Sequence, residues 1–141
     1  MVIFLKFYIA EECIPIYISD NEASIAYMGR EIEMKYDIEG LQGDSIYFAK
    51  LPLLSKSFPC RIYGRNLMFM DAYYLLAESV SYKTCQPITS VLFDIHTGRY
   101  ASLDHWYNVV SVKENFLELS NSFDYSGFVL DDPSKLHWLD M

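Results

Sequence analysis

Apolar and polar residues alternate with a period of two along several stretches of the chain. The clearest stretch is 31–36, where Ile, Met and Tyr alternate with Glu, Glu and Lys. Successive side chains of a β-strand point to opposite faces, so this pattern predicts a strand with one buried and one solvated face. The many Tyr, Phe, Ile and Val residues suit the pleated, half-buried surface of a sheet.

Turn-forming residues divide the apolar stretches into short segments. The strongest loop pattern lies at 39–44, and tighter turns are indicated at 29–30, 64–66 and 96–99. Between these breaks the sequence predicts roughly nine to eleven strands, spaced about 8–12 residues apart. The predicted strands cover residues 3–9, 14–19, the end of 24–36, 45–51, 60–63, 67–71, 88–95, 100–103, 107–112, 116–119 and 128–130.

Residues 71–82 fit either a helix or a strand. Ala, Leu and Glu favour a helix, and Asp71 stands where it would cap one. The Tyr73-Tyr74 pair and the following Val80-Ser81-Tyr82 favour a strand. We expect a strand here, with the helix as the open alternative.

The predicted fold is all-β, as one domain spanning residues 1–141, with at most one short helix. Strand spacing of this kind is typical of an antiparallel β-sandwich. Residues 91–100 also resemble a hairpin of β-propeller repeats. A complete propeller needs several four-stranded blades, so a partial-propeller-like sheet is the form that this length permits.

Composition and charge exclude several functional classes. The chain has 52% hydrophobic residues, enough for a core, so disorder is excluded. No apolar run reaches the roughly 18 residues of a membrane-spanning helix. The net charge of -8 disfavours nucleic acids and anionic membranes as partners. Three widely spaced cysteines fit a reducing compartment, and the N-terminal apolar stretch is expected to be a strand, so we predict a cytoplasmic protein.

No motif in the sequence indicates catalysis. The three histidines show no i, i+4 pairing, and the chain has no CxxC, GxSxG or phosphate-binding loop. Asp94 and His96 share a strand face, but one such pair is too little for a metal site. Cys60 stands beside Arg61, a neighbour that lowers a thiol pKa, although a buried structural cysteine is the commoner case. We therefore expect no enzyme activity, no metal and no cofactor.

Charge is divided unevenly along the chain. Residues 1–44 carry a net charge of -6, residues 45–92 carry +3 and residues 93–141 carry -5. If the two acidic flanks meet in the fold, they form a negative face that steers a basic partner. Several aromatic residues stand among the acids, namely Tyr17, Tyr27, Tyr36, Tyr47, Phe123, Tyr125 and Trp138. Exposed members of this set would serve as binding hot spots, whereas buried members would belong to the core.

A short, acidic, aromatic-rich chain without a catalytic motif resembles the small immunity proteins of bacterial toxin systems, including contact-dependent inhibition. The stretches that carry this compositional resemblance are 11–12, 20–22, 37–44 and 124–132. The resemblance implies a protein that binds a basic toxin domain, most often a nuclease, and occludes its active site. The candidate contacts are Glu11, Glu12, Asp20, Glu22, Asp37, Glu39, Asp44, Asp124, Tyr125, Asp131 and Asp132.

Two other functions remain open at this point. A β-barrel that binds a small ligand would line a pocket with its aromatic residues. An adaptor or oligomerisation module would pair through a sheet edge. Salt dependence separates the last case from the inhibitor, because charge-steered association weakens with salt and edge pairing does not.

Overall fold

The computed structural model describes residues 6–40, 43–81 and 88–141, and the fold is all-β, as the alternation predicts. Two 3₁₀ turns are the helical elements among these residues, at Pro52–Leu54 and Pro133–Lys135. The strands are β1 Lys6–Ile9, β2 Glu22–Tyr27, β3 Arg30–Glu39, β4 Ser45–Leu51, β5 Lys56–Ser57, β6 Arg61–Tyr63, β7 Met68–Met70, β8 Tyr74–Val80, β9 Thr89–Asp94, β10 Arg99–Ser102, β11 Val109–Val112, β12 Leu117–Ser120, β13 Gly127–Leu130 and β14 Leu139–Asp140.

The described strands form two sheets. The large sheet has the order β1-β2-β3-β4-β6-β8-β9-β10-β14, with β5 on β4 and β7 on β8. The small sheet has the order β11-β12-β13. Neighbouring strands are antiparallel except β1 and β2, which are parallel. The parallel pair follows from the connection at 10–21, which is long enough to return the chain to the starting end of β1.

The large sheet curls around the main hydrophobic core. Tyr27 on β2 stacks on Phe69 on β7 with ring centroids 4.3 Å apart, although β3, β4 and β6 separate β2 from β8 in the sheet. Phe58 and Phe93 form a second stack, at 4.2 Å. Sheet twist brings these distant strands together, so the core fills from both ends of one sheet.

Strands β8 and β9 are buried on both faces. Leu75 and Phe93 belong to the main core, whereas Leu76 and Leu92 pack against the small sheet. Leu119 on β12 supplies the opposing side of this second core. A strand that is covered on both faces has a continuous run of apolar residues in its sequence. This explains why residues 74–80 show no period-two alternation.

The structure decides the ambiguous segment and corrects one predicted strand. Tyr74–Val80 is a strand, and residue 82 lies outside the described residues. The strand predicted at 14–19 is wrong, because this segment makes only an isolated bridge at Ile16. Pro15 offers no amide donor there. The N–H of Ile18 donates to the carbonyl of Gly64 at 2.6 Å, and a Cβ on Gly64 would lie 2.6 Å from the Ile18 carbonyl oxygen.

Other boundaries agree closely with the pattern. The predicted strand 45–51 is β4, and the turn predicted at 29–30 lies one residue earlier, at 28–29 between β2 and β3. Of the predicted strand 3–9, residues 3–5 lie outside the described residues, as do 41–42 of the predicted loop. The number of strands exceeds the predicted number, partly because β5 and β14 have only two residues each. Strands this short show no periodic pattern in the sequence.

Candidate functional site

Two of the predicted acidic contact residues are held by arginines of the same chain. Asp37 accepts a hydrogen bond from Nε of Arg61 at 3.0 Å. Asp44 forms an ion pair with Nη1 of Arg65. Both arginines come from the basic middle of the sequence, so the positive segment neutralises part of the first acidic flank inside the molecule.

The other predicted acids divide into structural and exposed groups. Asp20 accepts a hydrogen bond from Tyr8 Oη at 2.6 Å, and Glu22 lies half-buried on β2. Asp132 accepts bonds from Oγ and N–H of Ser134, which cap the second 3₁₀ turn and lower the Asp132 pKa. The remaining predicted acids away from 121–126 are exposed, namely Glu11, Glu12, Glu39 and Asp131.

A buried carboxylate joins distant segments at one end of the small sheet. The Glu78 side chain is only 4% exposed. It accepts hydrogen bonds from Nε and Nη2 of Arg65, both at 3.3 Å, and from Nδ2 of Asn66 at 2.9 Å. It also accepts one from Nε1 of Trp106. A buried charge needs partners of this kind, so Glu78 fixes the positions of all three side chains.

Arg65 connects this cluster to the first acidic flank. Its guanidinium carbon lies 4.1 Å from the ring centroid of Tyr63, and its side chain is 12% exposed. Burial alone would lower the Arg65 pKa, but the bonds and charges of Asp44 and Glu78 outweigh burial and raise it. Arg65 is therefore a fixed cation between two carboxylates from separate parts of the sequence.

Residues 121–126 form a tightly bonded loop beside Trp106. Asn121 is buried, and its Nδ2 donates to the carbonyl of Trp106 at 2.8 Å. Its Oδ1 accepts from the N–H groups of Phe123 at 2.8 Å and Asp124 at 3.1 Å. The backbone closes the loop with N–H of Tyr125 donating to the Asn121 carbonyl at 2.9 Å. These bonds give the loop one defined shape.

The loop presents aromatic side chains to solvent. Phe123 is 71% exposed and Tyr125 is 89% exposed. Phe123 stacks on Trp106 with ring centroids 5.7 Å apart. Tyr125 has a φ of 63°, a left-handed conformation that a non-glycine residue adopts only where its surroundings hold it.

Asp124 anchors the outer side of the same loop. Its Oδ1 accepts from N–H and Oγ of Ser126 at 2.9 and 2.6 Å. Its Oδ2 lies 2.8 Å from Nε2 of His105. The bonds from Ser126, and then the contact with His105, lower the Asp124 pKa. We name the group formed by Arg65, Glu78, Trp106 and residues 121–126 the Trp106 surface.

The Trp106 surface contains residues that the sequence patterns did not select. Asp124 and Tyr125 were predicted, whereas Arg65, Glu78, Trp106 and Asn121 were not. Glu78 could have been found from the sequence, because it is the one charged residue in the apolar run 74–80. A charge on a strand that is buried on both faces requires a partner. The other residues had no comparable signal.

The predicted aromatic set is split between surface and core. Tyr27 and Tyr47 are buried in the main core. The exposed members are Tyr17, Tyr36, Phe123 and Tyr125. Tyr17 donates to Oδ1 of Asn66 at 2.6 Å, which attaches it to the Glu78 cluster. The core interpretation is confirmed for Tyr27 and Tyr47, and the exposed members stay predicted hot-spot residues.

The alternative chemical features have structural explanations. Burial raises the pKa of Cys60 to about 11, and the opposing effects of Ser79 and Arg61 are smaller. Asp94 accepts from the N–H groups of His96 at 2.9 Å and Thr97 at 3.0 Å, so it shapes the β9–β10 turn. Among residues 6–40, 43–81 and 88–141, no group of three or more His, Cys, Asp and Glu is arranged to hold a metal ion.

A groove of about 520 Å³ lies over β2, β3 and β4. Its charged lining is largely paired internally. Lys50 Nζ lies 3.1 Å from Glu33, and Ser24 Oγ donates to Glu31 at 2.6 Å. These bonds occupy part of the polar lining of the groove, which also includes Glu22 and Lys35.

Comparison with known proteins yields no family. The chain matches no protein-family model, and no curated protein or solved structure matches it. In the part of the chain that the structure describes, no helix is long and apolar enough to cross a membrane.

Proposed function

We propose that this protein is an immunity protein, which binds a cognate bacterial toxin with a basic surface and blocks the toxin's active site. The toxin domain is best matched by a nuclease, because such domains carry cationic surfaces for phosphate. In this proposal the protein acts in the cytoplasm by steric occlusion and catalyses no reaction.

The observation that carries the proposal is the display of Phe123 and Tyr125 on an ordered loop, with Phe123 stacked on Trp106. Aromatic side chains dominate the binding energy of protein interfaces because they bury a large area at low entropy cost. The Asn121 bonds order the loop before any partner arrives, so less conformational freedom is lost on binding. Phe123 and Tyr125 are largely exposed, so most of each side chain is available to a partner.

Charge supports the same proposal. Asp124 lies between the two exposed aromatics in the sequence, and Asp44 is paired with Arg65, whose guanidinium carbon lies 5.9 Å from the centroid of the Trp106 ring. Carboxylates around an aromatic centre attract a basic protein and accelerate its encounter. Asp37 and Asp44 act here mainly by holding Arg61 and Arg65, so reversing their charge would disturb the fold as well as the surface.

The test compares the native chain with a Phe123→Ala/Tyr125→Ala variant in capture from the native host, with mass spectrometry as the readout. Both side chains are exposed, so the variant is expected to fold normally. Tyr73→Ala is the matched control, because Tyr73 is also an exposed tyrosine but lies in the turn before β8. The captured protein is then purified, and its enzymatic activity is measured with and without each variant.

We expect the native chain and Tyr73→Ala to capture one basic protein and to inhibit its activity. The double variant should bind it at least 100-fold more weakly, because each hot-spot aromatic contributes about 2 kcal/mol or more. Capture should weaken at about 0.5 M salt, at which exposed charges are screened. Equal binding by the double variant, or a captured protein whose activity is unchanged, would reject the proposal.

A further inference from the structure

β1 lies at the end of the large sheet. Among the described residues, no strand pairs with its outer side. Strands at a sheet edge usually carry charges or prolines that prevent pairing with another chain. β1 carries one charge, Lys6 at its first position, and exposes Phe7 at 70% and Ile9 at 87%. An edge strand with such residues is suited to pairing.

The backbone of β1 shows which groups are available. The N–H of Ala10 donates to the carbonyl of Ala26 on the β2 side at 2.9 Å. Along a strand the hydrogen-bonding groups of successive residues point to alternate sides, so Tyr8 also faces β2. Phe7 and Ile9 therefore direct their N–H and C=O groups away from the sheet. The residues with outward backbone groups are the same two that carry the exposed apolar side chains.

This arrangement is complementary to itself. In an antiparallel pair of two β1 strands with Tyr8 opposite Tyr8, Phe7 of each copy lies opposite Ile9 of the other. Each such pair exchanges two hydrogen bonds, because both residues have outward-facing groups. A two-fold axis perpendicular to the sheet keeps equivalent side chains on the same face, so the four apolar side chains meet on one surface. Met28 and Leu53 line the adjoining groove and extend that surface.

Charge also fits this register. Lys6 of one copy comes opposite Ala10 of the other, directly before Glu11 and Glu12. All three charged side chains are exposed. The local attraction between Lys6 and these acids opposes the repulsion between two chains of net charge -8.

We propose that the protein forms a symmetric dimer through antiparallel pairing of β1 with β1 of a second copy. The large sheet then continues across the two-fold axis. The interface involves one short strand, so it is smaller than the standard interface of about 800 Å² per partner. We expect a dissociation constant on the order of 10–100 µM.

Sedimentation equilibrium over about 1 µM to 1 mM protein tests the dimer. Ile9→Pro removes an outward-facing N–H and leaves the bonds to β2 intact, since proline is tolerated on the open side of an edge strand. Ile9→Lys places a charge in the apolar pair. Leu139→Lys is the matched control, because Leu139 is exposed on β14, the strand at the opposite edge. Circular dichroism and thermal melting check that each variant is folded.

We expect the native chain and Leu139→Lys to dimerise, and both Ile9 variants to raise the dissociation constant at least tenfold. Because the whole chains repel each other, the native dimer should be no weaker at about 0.5 M salt than at about 0.05 M. A native chain that stays monomeric throughout, or a dimer that both Ile9 variants leave unchanged, would overturn the proposal.

Discussion

Replacing Glu78 by glutamine removes a buried negative charge and leaves its neighbours in place. Breaking a buried ion pair by removing one partner costs about 3–5 kcal/mol, because the other charge is left desolvated. Arg65 keeps its pair with Asp44, whose side chain is 48% exposed and therefore compensates only partly. We expect Glu78→Gln to lower the free energy of unfolding by about 2–4 kcal/mol.

The assay is urea unfolding followed by tryptophan fluorescence and by circular dichroism. The midpoint should fall while the denaturant slope is unchanged, as in a pure loss of stability. Glu118→Gln is the matched control, since Glu118 is half-exposed and lies 3.9 Å from Lys113. That exposed pair should contribute less than about 1 kcal/mol.

A double variant, Arg65→Met/Glu78→Leu, tests the cause of the loss. When both charged groups are removed, neither is left buried without its partner. The double variant should therefore lose less free energy of unfolding than Arg65→Met and Glu78→Leu lose in total when each is made alone. A loss for Glu78→Gln no larger than that for Glu118→Gln would contradict the cost of an unpaired buried charge. So would a double variant whose loss equals the sum of the separate losses for Arg65→Met and Glu78→Leu.

Three further predictions concern the 121–126 loop and Cys60. Asn121→Ala should cost about 1 kcal/mol or more, because the carbonyl of Trp106 and the N–H groups of Phe123 and Asp124 lose their bonds to the Asn121 side chain, and hydrogen exchange should speed up at the amide of Asp124. The bonds from Ser126, and then the contact with His105, lower the pKa of Asp124, so the carboxylate form is favoured in the fold. The contribution of the Asp124 carboxylate to the order of the loop should be complete above the ordinary aspartate pKa of about 3.9. It should be lost as the pH falls through the lowered pKa, and NMR of the loop amides would measure this loss. The pKa of Cys60 is about 11, so peptide mapping should find its thiol alkylated much more slowly at pH 8 in the native chain than in the unfolded chain; equal rates would contradict its burial.

The strand pattern was predictable where one face of a strand is solvated. Residues 31–36 alternate and 45–51 follow a clear loop, so strands at these positions were predictable, although β3 continues to Glu39. The segment 74–80 was ambiguous because both faces are covered, and a doubly buried strand has no polar face to mark its period. The segment 14–19 has strand-forming residues, but its backbone bonds to residues 64–67 only at Ile16 with Leu67, directly before β7, and at Ile18 with Gly64 in a turn, so no continuous ladder forms.

The candidate site was only partly predictable. Asp124 and Tyr125 were selected because they stand in an acidic, aromatic stretch of the sequence. Asp44 was selected for the same reason, yet its carboxylate is paired with Arg65, which is 21 residues away. Charges counted along the chain cannot show such pairing, because the curvature of the sheet determines which residues come close together.

The sequence by itself determined the all-β class, the position of most turns and the excess of negative charge. These properties depend on side-chain periodicity and on residue type, which are local. The tertiary structure alone decided which aromatics reach solvent, which acids are paired within the chain and that Glu78 is buried among Arg65, Asn66 and Trp106. Those outcomes depend on contacts between residues far apart in sequence, and such contacts form only when the curled sheet and the small sheet pack together.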